Sequence, residues 1–410
     1  MALRKCKYEF MLFNSLSALG LSLISLAALG QSDFKYMSLE SSHFFSDTVS
    51  LYKFRSEFDR IKTKGFSLEK ILPAGYVKDG SVDYTKYIQK ALNTYHYVVF
   101  PPFPLLVDDN GLVFRSDTYV IFKKGSKLIK TPTAKGDYRV VRIENVNSVF
   151  LFNPVIVGER YEHKDKIGEW GIGVYLFNAH DIVIFSPTIS KCWGDGVYIS
   201  GGKTPSSNIG IYNAYCDDNR RNAISIINVD TLRMTNILVS NTFGTNPMAG
   251  IDVEPNNNQD IINNLYLKNV YTINNYNVGI KIQLGNLLGA DKEKNINIDI
   301  LDHYSFGSAF SCFFARVEEK EDMSRSKIRP LNGHILIQSP TWSDFRKKPI
   351  TVSEYGTLGP KISVTEPVIG TGIDKNGTSD ILDKSHLLDR NKSIQYLNEI
   401  VKKKTMIVIQ

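Results

Sequence analysis

The sequence predicts a right-handed parallel β-helix, all β apart from a short N-terminal capping helix. Three observations carry that expectation. A small residue followed by an alternating apolar strand recurs every 23 to 29 residues. Two further strand families recur in phase with the first. Helical periodicity is nearly absent from the body of the chain.

The first strand family is Gly173-Val174-Tyr175-Leu176-Phe177, Gly196-Val197-Tyr198-Ile199-Ser200, Ala223-Ile224-Ser225-Ile226-Ile227, Gly250-Ile251-Asp252-Val253-Glu254 and Gly279-Ile280-Lys281-Ile282-Gln283. The second runs through Ile182, Ile209, Leu232, Leu265 and Ile296. Asn213, Asn236 and Asn269 stand just before a third short strand, where asparagine suits a tight bend. Three strands per turn follow. Strand alternation then predicts one interior ladder of Val174, Val197, Ile224, Ile251 and Ile280. A doubly wound α/β fold fails for want of helices, and a β-sandwich does not explain strands repeated in phase.

Ahead of the repeats, Asp83 caps an amphipathic helix whose apolar residues are Tyr84, Tyr87, Ile88, Ala91 and Leu92. It reads as a lid on the open end of the solenoid, followed by the strand Tyr97–Phe100. The expected organisation is a signal at 1–30, an extension at 31–80 without a clear repeat, the β-helix at 81–340 and a cap or tail at 341–410. Arg4, Lys5 and Lys7 precede an apolar run from Phe10 to Leu29 that ends in small residues. This reads as a secretory signal, with an uncleaved membrane anchor as the alternative. Either places the body outside the cytoplasm: secreted, periplasmic or at the cell surface.

With 42% hydrophobic and 22% charged residues the composition is that of an ordinary folded protein. The net charge of +7 suits an acidic partner such as an anionic polysaccharide. Nucleic acid is disfavoured, because no Lys/Arg stripe is interleaved with aromatics. Cys192, Cys216 and Cys312 read as buried thiols rather than a disulfide framework.

Outward positions of the first strand family form surface columns. One reads Tyr175, Tyr198, Ser225, Asp252, Lys281, and the next carries Glu254. Asp195 and Asn222 stand just before the strands. Asp195, Asp252 and Glu254 are therefore the candidate catalytic carboxylates, acting as acid and base. Asp252 and Glu254 lie two apart on one strand, ~6.8 Å between Cα atoms, a spacing read as compatible with inverting glycoside hydrolysis. Arg220, Arg221, Lys281, Tyr198, Trp170, Trp193, Asp218 and Glu169 are the candidate substrate-binding residues. The paired tryptophans suit the C–H faces of sugars, and the cations suit a uronate carboxylate. That second feature favours β-elimination or epimerisation. No cofactor is expected; calcium on Asp217, Asp218 and Asp252 is the alternative.

The chain resembles the pectate-lyase and polygalacturonase superfamily over residues 80–340. The resemblance rests on the helix followed by Val98-Val99-Phe100-Pro101-Pro102, on Gly168-Glu169-Trp170-Gly171, on Trp193-Gly194-Asp195-Gly196, on Asp218-Asn219-Arg220-Arg221-Asn222 and on Ala249-Gly250-Ile251-Asp252-Val253-Glu254. It implies a right-handed β-helix and a polysaccharide partner. Asp195 stands at the aspartate of the polygalacturonase Asn-Thr-Asp-Gly motif, and Lys281 is similar to the lysine of its Arg-Ile-Lys segment. Arg221-Asn222 replaces that family's aspartate pair, and Ala249-Gly250 replaces its His-Gly. Three functions follow: glycoside hydrolase, uronate lyase or epimerase, and non-catalytic glycan-binding or surface protein.

Overall fold

A computed structural model describes residues 34–45, 51–289, 292–317, 329–370, 386–402 and 406–410. The expected signal at 1–30 lies outside the described residues. No described helix is long and apolar enough to cross a membrane.

The strands stack in parallel, coil upon coil. Nine described strands form a front sheet, running from Leu112–Phe114 through Trp170–Phe177, Val197–Ser200, Asn222–Ile226, Ala249–Val253 and Val278–Gln283 to Phe310–Val317 and Lys348–Tyr355. The other two strand families merge into a second, eighteen-stranded sheet. They merge because only one residue separates them, as in the continuous strand Ser206–Asp217.

The interior ladder forms in the expected register: Val174 sits on Val197, Val197 on Ile224, Ile224 on Ile251 and Ile251 on Ile280. It continues through Cys312 to Ile350 at one end and through Val141 to Leu112 at the other. All nine side chains are buried. Each small residue ahead of the strand marks an inward position with no spare room. A Cβ on Gly196 would stand 2.7 Å from the Ala223 carbonyl oxygen and 2.8 Å from Asn219 Nδ2. Cys192, Cys216 and Cys312 are free and buried.

The bend between the two strand families of the second sheet is a column of left-handed residues. Asn213, Asn236 and Asn269 have φ of 52°, 56° and 54°. Asparagine tolerates this region better than other side chains. Stacked amides then bond to each other: Asn236 Nδ2 donates to Asn213 Oδ1 at 3.0 Å, and Asn269 Nδ2 to Asn236 Oδ1 at 2.7 Å. Further along, the interior turns partly polar, with Thr272, His303 and Ser305 in its ladders. His303 is fully buried, accepts from Trp342 Nε1 at 3.1 Å through Nδ1, and lies 2.9 Å from Thr272 Oγ1 through Nε2.

Both ends are covered. The helix Thr85–Thr94 buries Ile88, Ala91 and Leu92 over the first coils, and Asp83 Oδ1 accepts from Thr85 N at 2.9 Å. The coils run past residue 340: Thr341–Ser343, Lys348–Tyr355, Lys361–Thr365 and Val368–Ile369 all stack in parallel on earlier strands. A second helix, Arg390–Val401, packs Leu397 and Val401 into the same core, and Ile407–Ile409 pairs with Lys361–Thr365. The repeat fades from the sequence there because strand lengths and turns change, not because stacking stops. The segment without a repeat also holds a helix, Arg55–Lys64, which lays Phe58 and Ile61, with Phe54 just before it, on Ile121, Phe152, Phe185 and Tyr212 of the second sheet.

The amide column gives a measurable signature. Asn236→Ala loses two side-chain hydrogen bonds and forces a Cβ without a local partner into the left-handed region, so it should cost about 3 kcal/mol in denaturant unfolding. Asn236→Gly keeps the backbone unstrained and should cost roughly half as much. Equal losses would mean that the bend conformation contributes nothing.

Candidate functional site

On the outer face of the front sheet, register brings the expected column together. Tyr175, Tyr198, Ser225, Asp252, Lys281 and Phe313 occupy one line, each paired with the next. Adjacent coils are ~4.8 Å apart, so their side chains touch.

The contacts form one continuous polar network. Asp195 lies at the turn before the strand Val197–Ser200 and is buried. Its carboxylate accepts from Asn222 N at 3.0 Å, Ser225 Oγ at 2.8 Å and Arg221 Nη1 at 3.0 Å. Asn222 then turns to the next coil, where its Nδ2 donates to Asp252 Oδ2 at 3.2 Å. The other oxygen of Asp252 accepts no hydrogen bond, although Lys281 Nζ lies 3.4 Å from it. Lys281 donates to Glu254 Oε2 at 2.6 Å, and Gln283 Nε2 donates to Glu254 Oε1. Asp195, Asp252 and Glu254 thus converge, as their places in the repeat predict. Asn222, Ser225 and Gln283 join them. They lie at the same outward register positions, yet as single uncharged residues they carry no chemical signature in the sequence.

Environment separates the carboxyls. Asp252 is 1% exposed. Burial, reinforced by the charge of Glu254, pushes its carboxyl up to about 7 against the pull of Lys281 and Arg221. Glu254 keeps a quarter of its side chain in solvent. Burial acts on it too, but contact with Lys281 outweighs burial and holds it below the usual carboxylate range. Burial also raises Asp195, opposed by Arg221 and by Ser225. At near-neutral pH Asp252 therefore holds a proton beside an ionised Glu254.

Aromatic rings flank the network on both sides. Trp170 is 38% exposed and stands edge-on to Tyr198, with ring centres 6.1 Å apart. Tyr175 stacks on Tyr198 at 5.7 Å. Past Lys281, Phe313 and Phe310 lie with centres 5.7 Å apart. Neither phenylalanine stands out in the sequence, because Ser311 replaces Gly or Ala at the start of that strand and the step from Gly279 to Ser311 lengthens to 32 residues.

Residues 110–266 match the family model described as the right handed beta helix region. A solved structure of PfbA, a surface adhesin of Streptococcus pneumoniae, aligns over 76% of this chain and 79% of its own, with a TM-score of 0.54 and 14% identity. The chain is a right-handed parallel β-helix protein. The tailspike protein of E. coli bacteriophage HK620, solved in complex with a pentasaccharide, aligns over 75% of this chain and 58% of its own at a TM-score of 0.51 and 11% identity. YclG of Bacillus subtilis (strain 168) is 27% identical over 213 residues, 44% of this chain. The match spans only 36% of that relative's length.

Several candidate residues serve the turns of the β-helix instead of its outer face. Trp193 is 8% exposed: the His163 ring stacks on it at 3.8 Å, and the Arg220 guanidinium lies 3.7 Å from its ring centre. It is not a sugar platform. Arg220 braces the chain by donating to the carbonyls of Gly168 and Trp193 at 3.0 and 3.2 Å. Asp218 pairs with Arg160 and accepts from Tyr161 OH, both at 2.8 Å. Asp217 belongs to the second sheet, where Tyr36, Ser240 and Asn241 donate to it. The trio Asp217, Asp218 and Asp252 therefore does not converge, and no metal-binding group of three His, Cys, Asp or Glu occurs among the described residues. Glu169 reaches Arg221 Nε at 3.9 Å, and Tyr198 packs with Ile172 and Ile227.

The Asp195–Arg221 pair is 1% and 13% exposed, so its loss should be costly. Arg221→Gln leaves a buried carboxylate unpaired and should lower stability by about 3 kcal/mol, with Asp195→Asn in the same chain recovering most of it. Without Arg221 the Asp195 carboxyl rises further above its unfolded value. The loss should then be larger at pH ~8 than at pH ~5, because stability tied to a raised carboxyl disappears as pH rises. Denaturant unfolding at the two pH values measures this.

Proposed function

We propose that this face of the β-helix hydrolyses a glycosidic bond of a polysaccharide, outside the cytoplasm. The observation that carries the reading is one ammonium, Lys281, set between two carboxyls of opposite protonation preference. Asp252 holds its proton and serves as general acid toward the leaving oxygen. Glu254 is ionised and acts on the anomeric carbon. Asp195, 1% exposed with both oxygens held by Arg221, Asn222 and Ser225, is a positioning residue, whereas Glu254, also held by Lys281 and Gln283, keeps a quarter of its side chain in solvent.

The spacing bears on the stereochemistry. Lys281 Nζ lies 3.4 Å from Asp252 Oδ1 and 2.6 Å from Glu254 Oε2, so those oxygens are at most 6.0 Å apart. Inverting pairs stand ~6.5–9.5 Å apart to admit a water, and retaining pairs ~5–5.5 Å. The bound, and the direct hydrogen bond between Asp252 and Glu254, leave no room for an inverting water between the two carboxyls, so the reading is a double displacement with Glu254 as nucleophile. Trp170 and Tyr198 on one side, and Phe310 and Phe313 on the other, supply rings for the sugars that flank the cleaved bond.

Two features outside the chemistry support a carbohydrate partner and an exported protein. One is the pentasaccharide bound by the tailspike relative, and the other is the signal-like N-terminal sequence. A non-catalytic glycan-binding role is the second reading, favoured by the near-complete enclosure of Asp252.

On a polysaccharide that yields reducing ends, Asp252→Asn and Glu254→Gln should each lower kcat about 10²- to 10⁴-fold. Activity should fall at alkaline pH as Asp252 deprotonates around 7, and at acid pH only below the usual carboxylate range, where Glu254 protonates. The first-formed product, followed by NMR, should retain the anomeric configuration. Full turnover in both variants would refute the catalytic assignment, and glycan binding without turnover in the parent protein would establish the second reading.

A further inference from the structure

We infer that the glycan crossing Asp252 and Glu254 is uncharged at that point, a neutral-sugar chain rather than a uronate polymer. The inference rests on the reading of this face as a glycan site, but not on catalysis there.

A uronate is recognised by a cation with bonding capacity to spare, most effectively a forked guanidinium. The cations beside Asp252 and Glu254 are already committed or, like Arg221 Nε, buried out of reach. Arg221 bonds Asp195 at 3.0 Å and approaches Glu169 at 3.9 Å. Lys281 bonds Glu254 at 2.6 Å and lies 3.4 Å from Asp252. Arg142, on the earlier coils of the same sheet, grips Glu144 with Nε at 2.7 Å and Nη2 at 3.1 Å. Arg139 pairs with Asp137 at 2.9 Å and lies over the Tyr175 ring. Arg220 points its guanidinium at backbone carbonyls. Beyond Lys281 the next cations are Arg316, exposed at the far end of the strand Phe310–Val317, and Lys347, over the Phe310 ring two coils on.

Four carboxyls, Glu169, Asp195, Asp252 and Glu254, meet two cations, Arg221 and Lys281. With Asp252 protonated and the nearby Arg220 counted, three carboxylates meet three cations, so no positive charge is left unpaired beside the ionised Glu254. The +7 net charge of the chain therefore resides elsewhere. A uronate carboxylate here would face repulsion in a partly desolvated groove, where charges are weakly screened. What the face offers instead suits neutral pyranoses: aromatic rings at both ends for C–H faces, and carboxylate and amide groups between them for hydroxyls. The cations that the sequence sets beside the carboxylates thus serve to hold those carboxylates in place, and carboxylate-stabilised elimination lacks the free arginine it needs.

Affinity electrophoresis of the full chain at low salt tests this. The probes are laminarin, galactan and mannan, each before and after C6 oxidation to the uronate, with polygalacturonate as a further acidic probe. At least one neutral glycan should retard the protein. Its oxidised form should bind about tenfold more weakly, a screened like-charge penalty. Glu254→Gln, which frees Lys281, should restore a large part of that loss. Oxidised glycan or polygalacturonate binding as tightly as the neutral forms, no binding of any neutral probe, or unchanged discrimination in Glu254→Gln would each overturn the inference. A neutral glycan bound without release of reducing ends leaves the inference standing while the hydrolase reading fails. Reducing ends released from tightly bound polygalacturonate do the reverse.

Discussion

Every feature of this molecule depends on one constraint: each coil must place its backbone hydrogen bonds on the coil before it, in register, at a spacing of ~4.8 Å. Stacking of this kind leaves no freedom in side-chain neighbours. A residue meets the one a full turn earlier and the one a full turn later, whatever their chemistry. Inside, the result is a ladder of Val and Ile without gaps. At the bend, amides of Asn213, Asn236 and Asn269 join head to tail. Where equal charges would be stacked the arrangement fails, so the outer column alternates. Ser225, Asp252, Lys281 and Phe313 follow one another, and Glu254 is answered by Lys281 and Gln283.

The same constraint explains what the sequence discloses. Register is periodic, so Val174, Val197, Ile224, Ile251 and Ile280 can be aligned by spacing alone, and with them the outward Asp252. Turns are not periodic. Trp170 and Trp193 occupy matching places in two successive repeats, yet one lies open beside Tyr198 and the other lies under His163 and against Arg220. The difference comes from residues 159–169, which fold back across the turn. His163 is held there by Glu159 at 2.9 Å, a contact four residues apart that no repeat announces. Charge was the hardest property to read. Arg221 next to Asp195 could have been a free guanidinium or half of an ion pair, and only the three-dimensional turn decides between them. The helix Arg55–Lys64 leaves little trace in the sequence for another reason: its apolar face is only Phe58 and Ile61, and its partner surface is assembled from four separate coils.

The site shows how a solenoid can adjust acidity without a deep cavity. Asp252 points outward from a sheet, but neighbouring coils supply Asn222 and Lys281, its own coil supplies Glu254, and the rings of Tyr198 and Phe313 extend the wall in both directions. Enclosure comes from neighbours along the axis. A residue exposed on one isolated strand becomes buried once two more coils are added.

The imidazole of His303 follows Ala214, Ile237 and Val270 in an interior ladder, and burial lowers its protonation to about pH 3. An unfolded chain takes up that proton near pH 6.5, while the folded one declines it until far stronger acid. Acid therefore pulls the chain apart from within: between those two values the stability contributed by a neutral His303 drains away at up to about 1.4 kcal/mol per pH unit. The outer face with Asp252 and Glu254 is thus carried on a core whose stability falls as pH drops below about 6.5.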